Sequence, residues 1–239
     1  MSKRLLNMRN ILVTGGTGFI GSHISSELIK NGYSLVIIDS LINSSASVVD
    51  RIKLISEEHL KKYGTTLDFY KGDIRDKLFL NNLFLKYLNV HKPIDAVIHC
   101  AGLKSVSESI SFPLNYWDVN VSGTICLLEV MEKFKCYKLV FSSSATIYGD
   151  SNNILISEDN FISPKNTYGE TKASVEKFLE NLISSNKDLW SFAILRYFNP
   201  IGAHPSGLLG ESPKDIPNNL FPYITQVANN ERSHVNIFG

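Results

Sequence analysis

The segment Tyr168-Gly169-Glu170-Thr171-Lys172 sets a phenol and an amine four residues apart, so on a helix both side chains leave the same face. A free tyrosine titrates at about pH 10 and is a poor base at neutral pH. A neighbouring cation favours its phenolate and makes proton transfer feasible. Ser144, last of the cluster Ser142-Ser143-Ser144, offers a hydroxyl that could hold a substrate oxygen while the proton moves. Alone, a Tyr–Lys pair is also an ordinary exposed helix pair; a second motif far upstream makes it a catalytic candidate.

That motif is the stretch from Ile11 to His23, in which a short apolar run breaks into glycines at 15, 18 and 21 and resumes with helical spacing at Phe19, Ile20, Ile24 and Leu28. The pattern predicts strand, tight turn, helix. Glycines so placed permit unusual dihedrals, let backbone approach a pyrophosphate and pack helix closely on strand. The free N–H groups at the helix start, together with the helix dipole, favour phosphates. A second strand, Leu35 to Asp39, ends in a carboxylate about where a dinucleotide fold places its ribose ligand. Asp39 would accept hydrogen bonds from ribose hydroxyls and repel a 2′-phosphate, which favours NAD over NADP; the alternative is a strand-end turn residue.

The elements that must hold these groups follow in order. Helical spacing recurs through Val48–Ile55, Leu78–Leu88 and Tyr168–Ile183, and one long helix is predicted from Pro113 through Trp117 and Asn120 to Met131. Further strands are expected at Leu67–Tyr70, Ile94–Cys100, Leu139–Phe141 and Phe192–Leu195. Six strands alternating with helices predict an α/β fold, a doubly wound parallel sheet of Rossmann type. Beyond Arg196, prolines at 200, 205, 213, 217 and 222 predict irregular, site-forming loops. Asp73, after the third strand, could reach an adenine or be a solvated turn residue; Lys104, after Ala101-Gly102, could meet a ribose or phosphate. Mid-helix Asn120 points outward or satisfies a buried partner.

The 239 residues carry a formal net charge of +1, which gives no basic footprint for nucleic acid or an anionic membrane. Cys100, Cys126 and Cys136 lack metal-ligand spacing, so no metal site is expected and reduced thiols in a cytoplasmic protein are favoured. No secretory or membrane-spanning segment is visible, and residues 1–8 read as an extension before the first strand.

The glycine turn and the Tyr168/Lys172 pair resemble the extended short-chain dehydrogenase/reductase superfamily. Ala101-Gly102-Leu103-Lys104, the run from Ser142 to Asp150 and above all Arg196-Tyr197-Phe198-Asn199-Pro200-Ile201-Gly202-Ala203-His204-Pro205-Ser206-Gly207 make the chain similar, within it, to the UDP-hexose 4-epimerases. Ser144-Ala145-Thr146 stands where the superfamily's dehydratases carry Thr-Asp-Glu. The resemblance implies an NAD-binding Rossmann domain over residues 9–197 and a smaller, incomplete substrate domain over 198–239, with a phosphate-binding arginine falling later than Gly239. It implies an isomerase that interconverts UDP-galactose and UDP-glucose by transient oxidation at sugar C4. By the same resemblance Gly15, Gly18, Phe19, Ile20, Gly21, Asp39, Asn43, Asp73, Ile74, Ala101, Gly102, Lys104 and Phe198 contact NAD, with Tyr168 as base, Lys172 as its electrostatic partner and Ser144 as sugar-positioning hydroxyl. Lys104, Asn199, Asn219, Leu220 and Phe238 line the UDP-hexose site. A homodimer through segments 113–133 and 167–185 is also implied, with Trp117, Leu127 and Leu128 serving either that contact or the core. The alternatives are another nucleotide-sugar enzyme of the superfamily and an NAD-binding module without turnover.

Overall fold

The computed structural model describes residues 9–150, 155–211 and 219–236; the expected extension 1–8, Pro213, Pro217 and Phe238 lie outside the described residues. Strands β1 (Asn10–Thr14), β2 (Ser34–Asp39), β3 (Leu67–Lys71), β4 (Ile94–His99), β5 (Lys138–Ser144) and β6 (Ser191–Tyr197) form one sheet in the order β3-β2-β1-β4-β5-β6. Every adjacent pair is parallel. The order reverses between β1 and β4, where a doubly wound sheet opens its ligand crevice.

The central strands are apolar at successive positions because helices cover both faces of the sheet. Leu12, Val36, Ile38, Val97 and Phe141 face one layer, where α3 (Lys77–Asn89), α6 (Gly123–Lys133) and α7 (Thr167–Ser185) supply Leu80, Leu83, Leu127, Met131, Val175 and Leu179. Ile11, Val13, Leu35 and Ile37 face the other, against Ile29 of α1 (Phe19–Lys30) and Val49 and Ile52 of α2 (Ser47–Tyr63). Each fully buried side chain of this size contributes about 1.5–3 kcal/mol, so the sheet is the rigid part of the molecule. Leu127 and Leu128 belong to this core, being 0% and 5% exposed.

Three differences from the expected elements have local causes. The long helix begins at Pro113 but is three pieces: α5 (Pro113–Tyr116), a π-helical turn over Trp117–Ser122, and α6. The π turn carries Asn120 inward to a 3% exposed position, which an unbroken α-helical register need not do. A short helix, α4 (Val106–Ser111), lies outside the expected elements; Ser105 caps it, its hydroxyl accepting from Glu108 N at 3.3 Å. The proline-containing tail includes α8 (Leu220–Ala228), where Pro222 falls in the first turn and its missing N–H costs no intrahelical bond.

Candidate functional site

The parallel strands deliver their carboxyl ends to one edge, and those ends enclose a cleft of about 340 Å³. Gly15, Gly18, Phe19, Ile20, Gly21, Asp39, Asn43, Asp73, Ile74, Ala101, Gly102, Lys104, Ser144, Tyr168, Lys172, Phe198, Asn199 and Asn219 all line it. Leu220 does not: it opens α8 and is 62% exposed.

The β1–α1 turn requires its glycines. Gly15 has φ +66°, and a Cβ there would lie 2.6 Å from Ala101 N; a Cβ on Gly21 would overlap the Gly15 carbonyl oxygen. Gly18 sits at the N-cap of α1, which has no side-chain cap, so the first N–H groups of the helix lack intrahelical acceptors beside the cleft. Asp39 both lines the cleft and organises its wall. Its carboxylate accepts from Thr17 N (3.1 Å), Leu41 N (2.9 Å) and Ser44 Oγ (2.9 Å). Asp73 is clamped by Arg75, whose guanidinium makes bonds of 2.6 and 3.0 Å to it and holds its carboxyl below the usual range. Lys104 pairs with Glu211 at 2.9 Å, and Glu211 also accepts from Asn219 Nδ2 at 2.7 Å.

The chemistry-bearing groups come from β5 and α7. Asn166 caps α7, accepting from Gly169 N at 2.8 Å, and so places Tyr168 and Lys172 in the first two turns over the strand ends. Lys172 is 6% exposed; its amine donates to the Ser142 carbonyl at 2.9 Å and lies 4.8 Å from the Phe141 ring centroid and 5.9 Å from that of Tyr168. Burial pushes this amine down to about 8, partly offset by Cys100 and Glu176. Ser144 Oγ accepts from Thr146 N (3.2 Å) and Thr146 Oγ1 (3.0 Å), which leaves its own proton for the Tyr168 oxygen. Tyr168 departs from the expectation set by the Tyr–Lys spacing. Burial pushes its phenol up, and the Ser144 hydroxyl opposes this only in part. The Tyr116 ring meets Tyr168 edge-on at 6.5 Å, and its hydroxyl bridges Glu108 (2.8 Å) and Ser105 N (3.0 Å).

Two supporting groups, His99 and Glu176, fall outside the expected set, and a third, Asn120, takes the buried of its two expected alternatives. His99 is 1% exposed between Thr14 Oγ1 (2.6 Å) and Thr124 Oγ1 (2.9 Å). Thr124 donates its proton to the Asn120 carbonyl, so His99 Nε2 donates to Thr124 and Nδ1 accepts from Thr14. Thr14 Oγ1 in turn accepts from Ala101 N, fixing the β4 turn. Asn120 clamps the same turn, accepting from Leu103 N (2.8 Å) and donating to Leu103 O (3.0 Å) and Thr171 Oγ1 (3.1 Å). Glu176, 2% exposed, accepts from Ser143 Oγ and from the Arg196 guanidinium. The only sequence signal for Glu176 is its place one helical turn after Lys172.

The donor set fits a dinucleotide. A Cβ on Gly18 would meet only the Gly15 carbonyl, at 3.3 Å, so that face of the turn is open to the cleft. An uncapped helix start suits a diphosphate and the Asp39 carboxylate suits a ribose. Among the described residues no group of three or more His, Cys, Asp or Glu could hold a metal ion, and no helix is long and apolar enough to cross a membrane.

Comparison with known proteins agrees with this geometry. The UDP-glucose 4-epimerase of Neisseria meningitidis serogroup A is 47% identical over 233 residues, covering 97% of this chain and 65% of that protein. Among solved structures, the UDP-glucose 4-epimerase of Stenotrophomonas maltophila, with bound NAD and formylated UDP-arabinopyranose, superposes with a TM-score of 0.88 at 46% identity over 97% of this chain and 65% of that one. The enzyme of Bifidobacterium longum, in complex with NAD+ and UDP, gives 0.86 at 40% identity over 96% and 65%. The chain thus spans just under two thirds of the length of these relatives. The profile of the NAD dependent epimerase/dehydratase family matches residues 11–239, and the chain belongs to that family.

Proposed function

We propose that the chain serves as a UDP-hexose 4-epimerase, binding NAD in the cleft and interconverting UDP-galactose and UDP-glucose by transient oxidation at sugar C4. The observation that carries this reading is the meeting, in one cleft, of the β1–α1 glycine turn with Tyr168, Lys172 and Ser144. When bound, NAD would supply a reversible two-electron acceptor and a positive charge beside the phenol. The residues of the chain do the rest. Tyr168 Oη takes the proton of the sugar 4-hydroxyl and returns it, Ser144 Oγ orients the reacting oxygens, and the Lys172 ammonium stabilises the phenolate. Asp39 and Asn43 would hold the adenosine ribose, Asp73 and Ile74 the adenine end, and Ala101, Gly102, Lys104 and Phe198 the rest of the cofactor. Lys104, Asn199 and Asn219 would grip the nucleotide end of the substrate. A firm hold on that end and few contacts to the hexose suit a sugar that must present both faces. Ala145 opens a 3₁₀ turn (Ala145–Tyr148) and supplies no carboxylate at the position where elimination would need one.

In this reading residues 9–197 are the cofactor domain and 198–239 part of a substrate domain. A homodimer is also proposed. With Leu127 and Leu128 in the core, exposed Leu114 (83%) and Ile125 (44%) of the 113–133 segment, beside half-buried Trp117, are the side chains that favour it. The free thiols fit a reducing compartment such as the cytoplasm.

The test is to supply the NAD-loaded chain with UDP-galactose and no reductant and to follow UDP-glucose formation. Turnover that disappears in Tyr168→Phe supports the reading. Undiminished turnover in that variant overturns the base assignment, and tight NAD binding with no turnover in the parent favours a non-catalytic module.

A further inference from the structure

Deep to the cleft, α7 carries a third polar side chain on the face that bears Tyr168 and Lys172. Glu176 follows Lys172 by four residues, its carboxylate points back to the strand ends, and it is 2% exposed. It accepts from Ser143 Oγ, immediately before Ser144. Arg196, on the edge strand β6, places Nε 3.2 Å from both carboxylate oxygens and Nη2 2.8 Å from Oε2. The remaining guanidinium nitrogen donates to Tyr148 Oη at 2.8 Å and to the Glu158 carbonyl at 2.9 Å. Glu176 is therefore the joint at which α7, β5 and β6 meet behind the reacting groups, and it places a negative charge one helical turn from a buried ammonium.

We propose that Glu176 is a positioning residue: its buried carboxylate, shared between Ser143 and Arg196, keeps Lys172 charged and holds the end of β5 so that Ser144 faces Tyr168. A buried ammonium with no carboxylate nearby sheds its proton, because desolvation penalises the charged form. Of the other titratable groups around Lys172, only an ionised Cys100 would also favour its charge, and burial disfavours that thiolate. His99 and Cys100 approach from β4, His99 kept neutral and the Cys100 thiol pushed up by burial. Tyr168 lies on α7 itself, and Tyr197 of β6 lies against Cys100 and Ser142, both phenols pushed up by burial. From β5 come only the Ser142 carbonyl and the Phe141 ring. Removing the negative charge of Glu176 also frees the positive charge of Arg196, so the two effects on Lys172 add; removing Arg196 instead leaves Glu176 unshared and acts in the opposite sense.

The role assigned to Lys172 rests on the proposed function, but the test does not need turnover. The Lys172 amine is titrated by NMR in protein carrying 13Cε-lysine, its resonance identified by its loss in Lys172→Met. Glu176→Gln is expected to lower the midpoint by roughly one pH unit or more, as a unit charge one helical turn away does at an effective dielectric of about 20. Arg196→Gln is expected to raise it, and the double variant to return it toward the parent value. If Glu176→Gln fails to fold, Arg196→Gln and the double variant carry the same test of sign. Equal midpoints in all variants, or shifts of one sign in both single variants, overturn the proposal. Opposite shifts in a chain that never converts UDP-galactose would leave the proposal standing and remove the epimerase reading instead.

Discussion

Asn120→Leu tests whether the cofactor-side turn is held by the π segment. The substitution keeps the branched shape of the side chain, with methyl groups in place of the amide atoms, and removes an amide that makes three hydrogen bonds, two of them to the backbone of Leu103. Leu103 N–H is left in a half-buried turn with no alternative acceptor supplied by the side chain, and its carbonyl and the Thr171 hydroxyl each lose a donor. A stranded buried polar group costs about 1–3 kcal/mol, and partial access of water to the carbonyl offsets some of it, so the expected loss is about 2–4 kcal/mol. Its first expression is local, because the residues released are 101–104 and not the sheet beneath them. Hydrogen exchange of the Leu103 amide should therefore accelerate by at least about 30-fold, the equivalent of 2 kcal/mol, while amides of Leu12 and Val36 slow or speed only with global stability. NAD affinity, measured by calorimetry, should weaken in parallel because Ala101, Gly102 and Lys104 lose their fixed positions. An unchanged Leu103 exchange rate with unfolding free energy within about 0.5 kcal/mol of the parent would refute this account of the π turn.

Two further outcomes follow from buried groups. His99 is pushed down to about 3 by burial, with the Lys172 charge a smaller cause, whereas an unfolded histidine titrates at about 6.5. Below about 6.5 the unfolded chain binds a proton that the folded chain does not, so stability is lost as pH falls from about 6.5 toward 3, by up to about 5 kcal/mol from this residue. Urea unfolding of His99→Gln between pH 4 and 6.5 should show a pH slope shallower by one proton than the parent, and an identical slope would sink the assignment. Gly21→Ala places a Cβ into the Gly15 carbonyl and 2.8 Å from Gly16 Cα, both backbone. The helix must back away at a cost of about 1–3 kcal/mol, against which the better helix propensity of alanine returns at most about 1. Thermal unfolding should move down by several degrees and NAD binding should weaken; a raised melting temperature with unaltered binding would show that α1 packs less closely than the structure has it.

The fold was legible because its signals are local or periodic. The β1–α1 glycines, the apolar runs of β1 and β2, and the helical repeats of α2, α3 and α7 each specify their own element, and strand–helix alternation leaves few topologies besides the parallel sheet. Less legible was what depends on register or long-range pairing. An unbroken 3.6-residue spacing through Trp117–Met131 conceals the π turn, since one inserted residue leaves the apolar pattern almost intact while turning Asn120 inward. Glu176 and Arg196 lie 20 residues apart on a helix and an edge strand, and Lys104 and Glu211 lie 107 apart; neither pairing has a spacing signature. Lys104 was legible as the long cation of the turn after β4, but its Glu211 partner was not.

The electrostatics of the cleft explain why so many of its supporting residues are uncharged or paired. Lys172 and His99 are both buried where charge is disfavoured, and burial pushes the Lys172 amine and the His99 imidazole down. In such surroundings one stray ionised group would set the protonation of every neighbour, because charges interact several-fold more strongly than in water. The fold answers by locking His99 neutral between two threonines, by sharing Glu176 with Arg196, and by turning an amide, not a carboxylate, toward the Ala101–Lys104 turn at Asn120. Tyr168 is thereby left as the group whose protonation answers to what enters the cleft: its phenol is raised by burial, steadied by one hydroxyl, and open to the charge of a bound ligand. Because burial favours the protonated phenol, a positive charge entering the cleft would act against burial and favour the phenolate.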